Sequence, residues 1–340
     1  MTDFSKATNA MCMIMLDIMG VFKIVFLWFK TEKLKSLFNI ILNDFWPYDL
    51  INESKRRVKD MFNLMNIFVV WFMLAGVMFA LLSLSSPLFS NKQLPYDVRY
   101  PFDWTVSPWY EIIYCMQTFT HGITMTTIGI GAIYMVIGIL LSISSQYCIL
   151  EECFEIFNTP EMYSVNKKLR DILNDGLKNK YTDERREYFV RCVKHHQLLL
   201  RFTKELNDEL NPLELFELAL SIFALCLGSL RIANAESLGS NVEQAGSYLY
   251  LIGYTMQLFI DCFFGTFLYH QASLLPDAIF HSNWRTLDDE ELRKDFVFLL
   301  QNSQRIPQIN AYNLYDMHMV SFIKVIKVAF SFYTMLSTLK

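Results

Sequence analysis

Between Ile112 and Leu150 the chain has no Asp, Glu, Lys or Arg, and Gly122, Gly129, Gly131 and Gly138 are scattered among its aromatic and aliphatic residues. Water does not tolerate such a run as a surface. As one helix it would be roughly 58 Å long, against about 30 Å for the hydrocarbon of a bilayer, so a helix here spans a membrane and projects beyond it. Closely spaced cysteines are missing too. Cys12, Cys115, Cys148, Cys153, Cys192, Cys226 and Cys262 stand apart, with no pair at metal-ligand spacing, and most lie inside or beside apolar runs. They read as free, buried thiols rather than a disulfide framework, and no metal site is expected. Met1 to Asn9 is not a basic leader, and no small-residue cleavage site follows Met11 to Phe29, so a secretory signal peptide is a poor reading of the start. No internal repeat, low-complexity tract or nucleotide-binding glycine loop occurs.

What is present is apolar: 53% of the 340 residues are hydrophobic, 15% aromatic and only 19% charged. Together with a mean hydropathy of +0.25, this is too apolar for an ordinary soluble domain and predicts an all-α polytopic membrane protein. The formal net charge of -4 averages over regions facing opposite sides of a bilayer. It therefore says nothing about partners.

Six segments meet the requirement of about 20 residues for a span. They are Ala10 to Phe29, Met61 to Leu84, Glu111 to about Ile137 with its apolar continuation, Leu213 to Ala235, Ser247 to Tyr269, and Met317 to Leu339. The first, fourth and sixth carry charges: Asp17 and Lys23; Glu214, Glu217 and Arg231; Lys324 and Lys327. Basic residues alternate between the connections, which sets orientation for short loops. Lys30, Lys33, Lys35, Lys55, Arg56, Arg57 and Lys59 mark the first loop as cytoplasmic, with the long third loop and the fifth, which holds Arg285, Arg293, Lys294 and Arg305. Pro87 to Tyr110 and Glu236 to Gly246 are poor in basic residues and belong outside, as do both chain ends. The organisation expected is membrane helices over 1–150, a cytoplasmic helical segment over 151–212, membrane helices over 213–270, a cytoplasmic anchor over 271–316 and a last membrane helix over 317–340.

Within the cytoplasmic segment, Phe189, Val193, Leu199, Phe202 and Leu206 recur at roughly helical spacing among charges. That predicts an amphipathic helix over 183–210 that continues toward the next span, with a kink or restart at Asn211-Pro212. His195 and His196 have no ligand partners at metal spacing and read as surface or interface residues.

The C-terminal third is the most specific part. Ala272-Ser273-Leu274-Leu275, Ala278-Ile279-Phe280, Trp284, Arg293-Lys294, Ser303-Gln304, Pro307 and the run Phe322 to Leu336 strongly resemble the insect odorant receptor family. Leu94-Pro95, Tyr100-Pro101, Pro108-Trp109-Tyr110 and Gln117 resemble the approach to that family's fourth helix. His195, Leu199, Phe202, Leu206 and Phe216 resemble the approach to its fifth. The resemblance implies seven helices with the N-terminus inside. The first span here matches the family's second, so the family's first helix has no counterpart in this chain.

The resemblance further implies an odorant-gated, nonselective cation channel, a tetramer in which a tuning subunit joins a shared co-receptor, in the plasma membrane of olfactory sensory neurons with the C-terminus outside. Residues 151–211 are too few for the co-receptor's extra insertion, so the chain resembles a tuning subunit. Its partners would be a small volatile ligand, the co-receptor and lipid, with no cofactor and no nucleic acid. The implied ligand pocket, in the outer halves of the family's second, third, fourth and sixth helices, holds Met15, Met19, Phe22, Gly76, Phe79, Ser83, Thr118, His121, Met125, Tyr250 and Tyr254. The 17 methionines suit varied ligand shapes, because the side chain is unbranched and polarisable. On the last helix, Met335 and Leu339 fall at the family's apolar gate and Thr338 where a polar side chain meets ions; ordinary helix packing is the alternative for the same spacing.

A gustatory-type channel of the same superfamily and a six-span transporter are the competing readings, and an enzyme is not expected. The gustatory Thr-Tyr and Gln-Phe ending is absent from Ser331-Phe332-Tyr333-Thr334 and Ser337-Thr338-Leu339. A transporter would need paired intramembrane charges, and Asp17 and Asp261 read as the only interior acids.

Overall fold

The computed structural model describes residues 2–89, 94, 100–122, 130–173, 177–181, 183–233 and 241–338. Helices account for most of them: α1 (Thr2–Asn43), α2 (Asn52–Phe89), α3 (Trp109–Gly122), α4 (Ile130–Glu155), α5 (Pro160–Leu173), α6 (Leu177–Lys180), α7 (Glu184–Ala233), α8 (Asn241–His281), α9 (Glu290–Ser303) and α10 (Met319–Thr338). Among the described residues, five helices are long and apolar enough to cross a membrane: Ala10–Asn43, Asn52–Met78, Gly131–Glu155, Glu184–Ile232 and Gln244–Thr286. The last predicted span is also helical, as α10, whose 20 residues reach about 30 Å. The run without charges is helical at both ends, in α3 and α4, and its middle lies outside the described residues.

In a membrane every backbone polar group needs an internal partner, which is why the long apolar segments are helical. Side-chain packing then orders them. α4 lies between α2 and α8, α1 packs along α7, and α10 rests on α7 and α8. The window that makes α4 a candidate span is 78% buried and that of α2 only 11%, so α4 is a central helix and α2 presents most of its apolar surface outward.

Two expectations change. α7 continues through Pro212 as a single helix, so the chain does not restart there. Proline removes one backbone hydrogen bond and crowds the preceding turn, but Leu210 and Leu213 on either side are fully packed, and the Asn211 side chain accepts from the Tyr312 amide at 2.7 Å. Tertiary contacts hold the helix across the break. His195 and His196 are core residues, 3% exposed each, rather than surface ones.

Their surroundings explain this. Glu184 to Glu209 carries eleven charged residues, which keeps this half of α7 out of hydrocarbon. It packs instead in a basal layer with α4, α5, α9 and the segment after α1. The Gln146 amide of α4 bonds the Trp46 backbone in both directions, at 2.9 and 3.0 Å, and its Oε1 also meets His195 Nε2 at 2.9 Å. The His195 ring stacks on Trp46 with centroids 4.1 Å apart. Arg191, buried with its partners, reaches Glu187 at 2.7 Å and Asn166 at 2.6 Å, while Arg57 ties α2 to Glu151 of α4 at 2.9 Å. Six of the seven cysteines are buried and free as expected; Cys115 is free but exposed.

A small antiparallel hairpin, absent from the all-helical expectation, pairs β1 (Asn310–Ala311) with β2 (Tyr315–Asp316). Tyr312 and Asn313 take positive φ values of 52° and 57° at its tip. Asn207 and Asn211 of α7 accept from the Asn310 and Tyr312 amides at 2.7 Å each, and Tyr315 Oη meets Cys262 Sγ of α8 at 2.8 Å. The α10 start is fixed by the Met319 amide donating to Thr266 Oγ1 at 2.9 Å. Gly265 is required there, since a Cβ would run into the Met317 carbonyl oxygen.

Gly265→Ala should therefore force α8 and the α10 base apart and lower stability by about 1–3 kcal/mol, read as a lower thermal midpoint in detergent; an unchanged midpoint would show that the contact can relax. Burial, with His196 nearby, holds the His195 imidazole down at about 3, whereas an unfolded chain takes that proton near 6.5. The sign follows: stability is full above about pH 6.5 and falls as pH drops toward 3, because only the unfolded state binds the proton. His195→Gln should flatten that fall, and equal pH slopes in the two proteins would contradict it.

Candidate ligand cluster and terminal helix

Helical spacing places Cys12, Leu16 and Met19 on one face of α1, and Tyr250, Tyr254, Leu258 and Cys262 on one face of α8. The structure brings these faces together with Leu220, Ala224 and Leu225 of α7 and with Val325 and Ala329 of α10 in one buried cluster. Met15 packs at its edge. Gly228 of α7 lets Tyr250 and Leu251 come close, since a Cβ there would stand 3.2 Å from each. The Tyr250 and Tyr254 rings lie 5.0 Å apart, and among the described residues neither hydroxyl has a hydrogen-bond partner.

Of the eleven pocket residues that the sequence pointed to, Met15, Met19, Tyr250 and Tyr254 thus converge. Phe22 turns toward α7 and stacks on Phe216 at 3.8 Å; it packs against the neighbouring core cluster, while Phe216 flanks this one. Gly76 is half-buried on α2, and Thr118 is half-buried on α3 with a hydroxyl that has no hydrogen-bond partner among the described residues. The side chains of Phe79, Ser83 and His121, and Met125 entirely, lie outside the described residues. Val325 and Ala329 were not foreseen as neighbours of this cluster.

Deeper between the same helices lies a buried ion pair that sequence reasoning missed. Lys23 Nζ of α1 meets Glu217 Oε1 of α7 at 2.8 Å, and Gln257 Nε2 of α8 donates to Glu217 Oε2 at 3.2 Å. One carboxylate joins three helices. Glu214 is buried as well, so Asp17 and Asp261 are not the only interior acids. The available signal was one opposite charge in each of two otherwise apolar segments. Among the described residues, no group of three or more His, Cys, Asp or Glu is arranged to hold a metal.

α10 has a packed face and an open one. Phe322, Val325, Ile326, Ala329 and Tyr333 are buried or half-buried, whereas Lys324, Lys327, Ser331, Thr334 and Met335 are exposed together with the apolar Val320, Ile323, Val328, Phe330 and Phe332. At 100° per residue the open face spans about 200°; Lys324, Lys327, Ser331, Thr334 and Met335, continued by the position of Thr338, take its central arc of about 100°, with Ile323, Val328, Phe330 and Phe332 on its flanks. The Thr338 side chain and Leu339 lie outside the described residues. Met335 is 51% exposed.

Lys23→Met should cost about 3–5 kcal/mol by stranding the Glu217 charge, and adding Glu217→Gln should recover much of it. Thermal midpoints of the two variants in detergent check this, and a double variant no better than the single would remove the ion pair from the account.

A profile of the 7tm Odorant receptor family matches residues 3–330. Odorant receptor 83a of Drosophila melanogaster is 24% identical over 280 residues, covering 73% of this chain and 61% of that protein. Odorant receptor 85c of the same species is 20% identical over 349 residues, covering 99% of this chain and 83% of that protein. The chain thus matches about three-fifths of the first relative and about four-fifths of the second. Its fold is similar to that of the insect olfactory receptor OR5 from Machilis hrabei, with a TM-score of 0.76, 16% identity, and coverage of 99% of this chain and 82% of that one. The same receptor in complex with eugenol gives 0.73 and 17%.

Proposed function

This chain belongs to the 7tm odorant receptor family, and from that premise we propose that it is the odorant-tuning subunit of a ligand-gated, nonselective cation channel assembled with a shared co-receptor. Its place is the plasma membrane of olfactory sensory neurons, with the basal layer in the cytoplasm and the C-terminus outside. The observation that carries this reading is the exposed polar stripe of α10, Lys324, Lys327, Ser331 and Thr334. Lysines and hydroxyls facing lipid tails are unfavourable, so such a stripe on a spanning helix borders water. Neighbouring subunits would enclose that water, as α10 faces its own chain only with the opposite side.

Within that channel Met335 and Leu339 form an apolar constriction that closes by excluding water, and Thr338 meets the permeating ions. Spreading the ring by a few ångströms rewets it. The α1–α8 cluster that holds Met15, Met19, Tyr250 and Tyr254 also contains Val325 and Ala329 of α10. A small organic molecule lodged there would press on the pore helix from behind. The remaining pocket residues, Phe22, Gly76, Phe79, Ser83, Thr118, His121 and Met125, would supply the rest of the wall.

Coexpression with a co-receptor in cells lacking other receptors should give odorant-evoked cation currents, and Met335→Ala should raise the ligand-free leak several-fold. Silence across a broad panel despite surface expression would overturn the channel reading. An unchanged leak with unchanged open-state properties would remove Met335 from the gate.

A further inference from the structure

We propose that the hydroxyls of Tyr250 and Tyr254 form the polar end of the ligand site and select small apolar molecules that carry a carbonyl oxygen. The inference rests on the odorant-receptor reading and adds the chemical class of the ligand. Tyr250 is 3% exposed and Tyr254 4%, and among the described residues neither hydroxyl finds a hydrogen-bond partner. Their polar neighbours are each other, the Cys12 thiol, which itself lies beside Arg231, and, for Tyr254, the Glu217 and Asp17 carboxylates, yet among the described residues none meets either hydroxyl at hydrogen-bonding geometry. Of these carboxylates, Glu217 has both oxygens engaged, by Lys23 and Gln257.

A buried hydroxyl without a partner is costly, and an incoming acceptor removes that cost. Each phenol has a proton to donate, and a ligand acceptor takes it without needing a proton of its own. The surrounding side chains, Leu16, Met19, Ala224, Val325 and Ala329, are apolar and suit a hydrocarbon body. A neutral aldehyde or ketone fits both parts, and a pure hydrocarbon would leave both hydroxyls unpaired. Because Val325 and Ala329 belong to α10, a molecule held by the two tyrosines contacts the pore helix directly.

The test uses matched probes: heptanal against heptane, benzaldehyde against toluene, and acetophenone against ethylbenzene. They are applied to the full-length chain coexpressed with a co-receptor, with surface amounts measured by biotinylation. The wild type should respond to each carbonyl compound at a concentration about tenfold lower than to its hydrocarbon partner. Tyr250→Phe and Tyr254→Phe keep the rings and should each shift the carbonyl responses about five- to tenfold toward higher concentration while leaving the hydrocarbon responses in place. In detergent, heptanal but not heptane should raise the thermal midpoint of the wild type, a readout that needs no variant to fold. A wild type that responds without favouring carbonyls, or Phe variants that keep the preference, would overturn the inference and leave the receptor reading standing. Silence of the surface-expressed wild type to all the probes, with no thermal shift, would instead overturn both.

Discussion

A single carboxylate in a lipid-embedded core constrains this fold more than any other group. Glu217 is ion-paired at a depth where an uncompensated charge is intolerable, so Lys23 of α1 and Gln257 of α8 must both be in reach of α7. Helices packed only by aliphatic side chains can slide or rotate at small cost, because lipid tails are as apolar as leucine. The ion pair and its amide partner remove that freedom. They fix the registers of α1, α7 and α8, and with them the depth at which Met19, Tyr250 and Tyr254 meet.

The same three-helix unit cradles the terminal helix. α7 supplies Asn207 and Asn211 to hold the hairpin, and α8 supplies Cys262, Gly265 and Thr266 to receive Tyr315, Met317 and Met319. α10 is therefore clamped at its base and packed along one face, with Met335 on its exposed side toward the outer end. A helix anchored at one end and backed by a buried cluster near its middle can tilt. Under the proposed function, small changes in the volume behind Val325 and Ala329 would be delivered to its outer end, where the constriction would sit.

Much of this was legible in the sequence where the signal was local. Apolar runs of membrane length marked α2, α4, α8 and α10, and the charge pattern of Glu184 to Glu209 separated the basal half of α7 from its apolar half. The ordered residues from Ala272 to Leu336 pointed to the family that the comparisons identify. Pairings between distant segments left no such trace. Trp46 and Gln146 are 100 positions apart, and Asn207 and Asn310 are 103 apart, so no periodicity betrays them. His195 looked like a polar surface residue because its two partners, an indole face and a glutamine oxygen, come from elsewhere in the chain. Pro212 looked like a break because local propensity weighs the lost hydrogen bond and not the packing on either side. In the ligand cluster the spacing of Tyr250 and Tyr254 was visible, but their contact with α10 depends on how the long helices cross.

The claim on which the functional account turns is that one stripe of α10 borders water. Scanning single cysteines from residue 322 to 335 in the assembled channel, with a membrane-impermeant thiol reagent applied from each side, tests it directly. The account predicts modification at 324, 327, 331, 334 and 335, faster when the ligand is bound, and protection at 322, 325, 326 and 329. Equal protection of both faces, or reactivity spread around the whole helix, would contradict it.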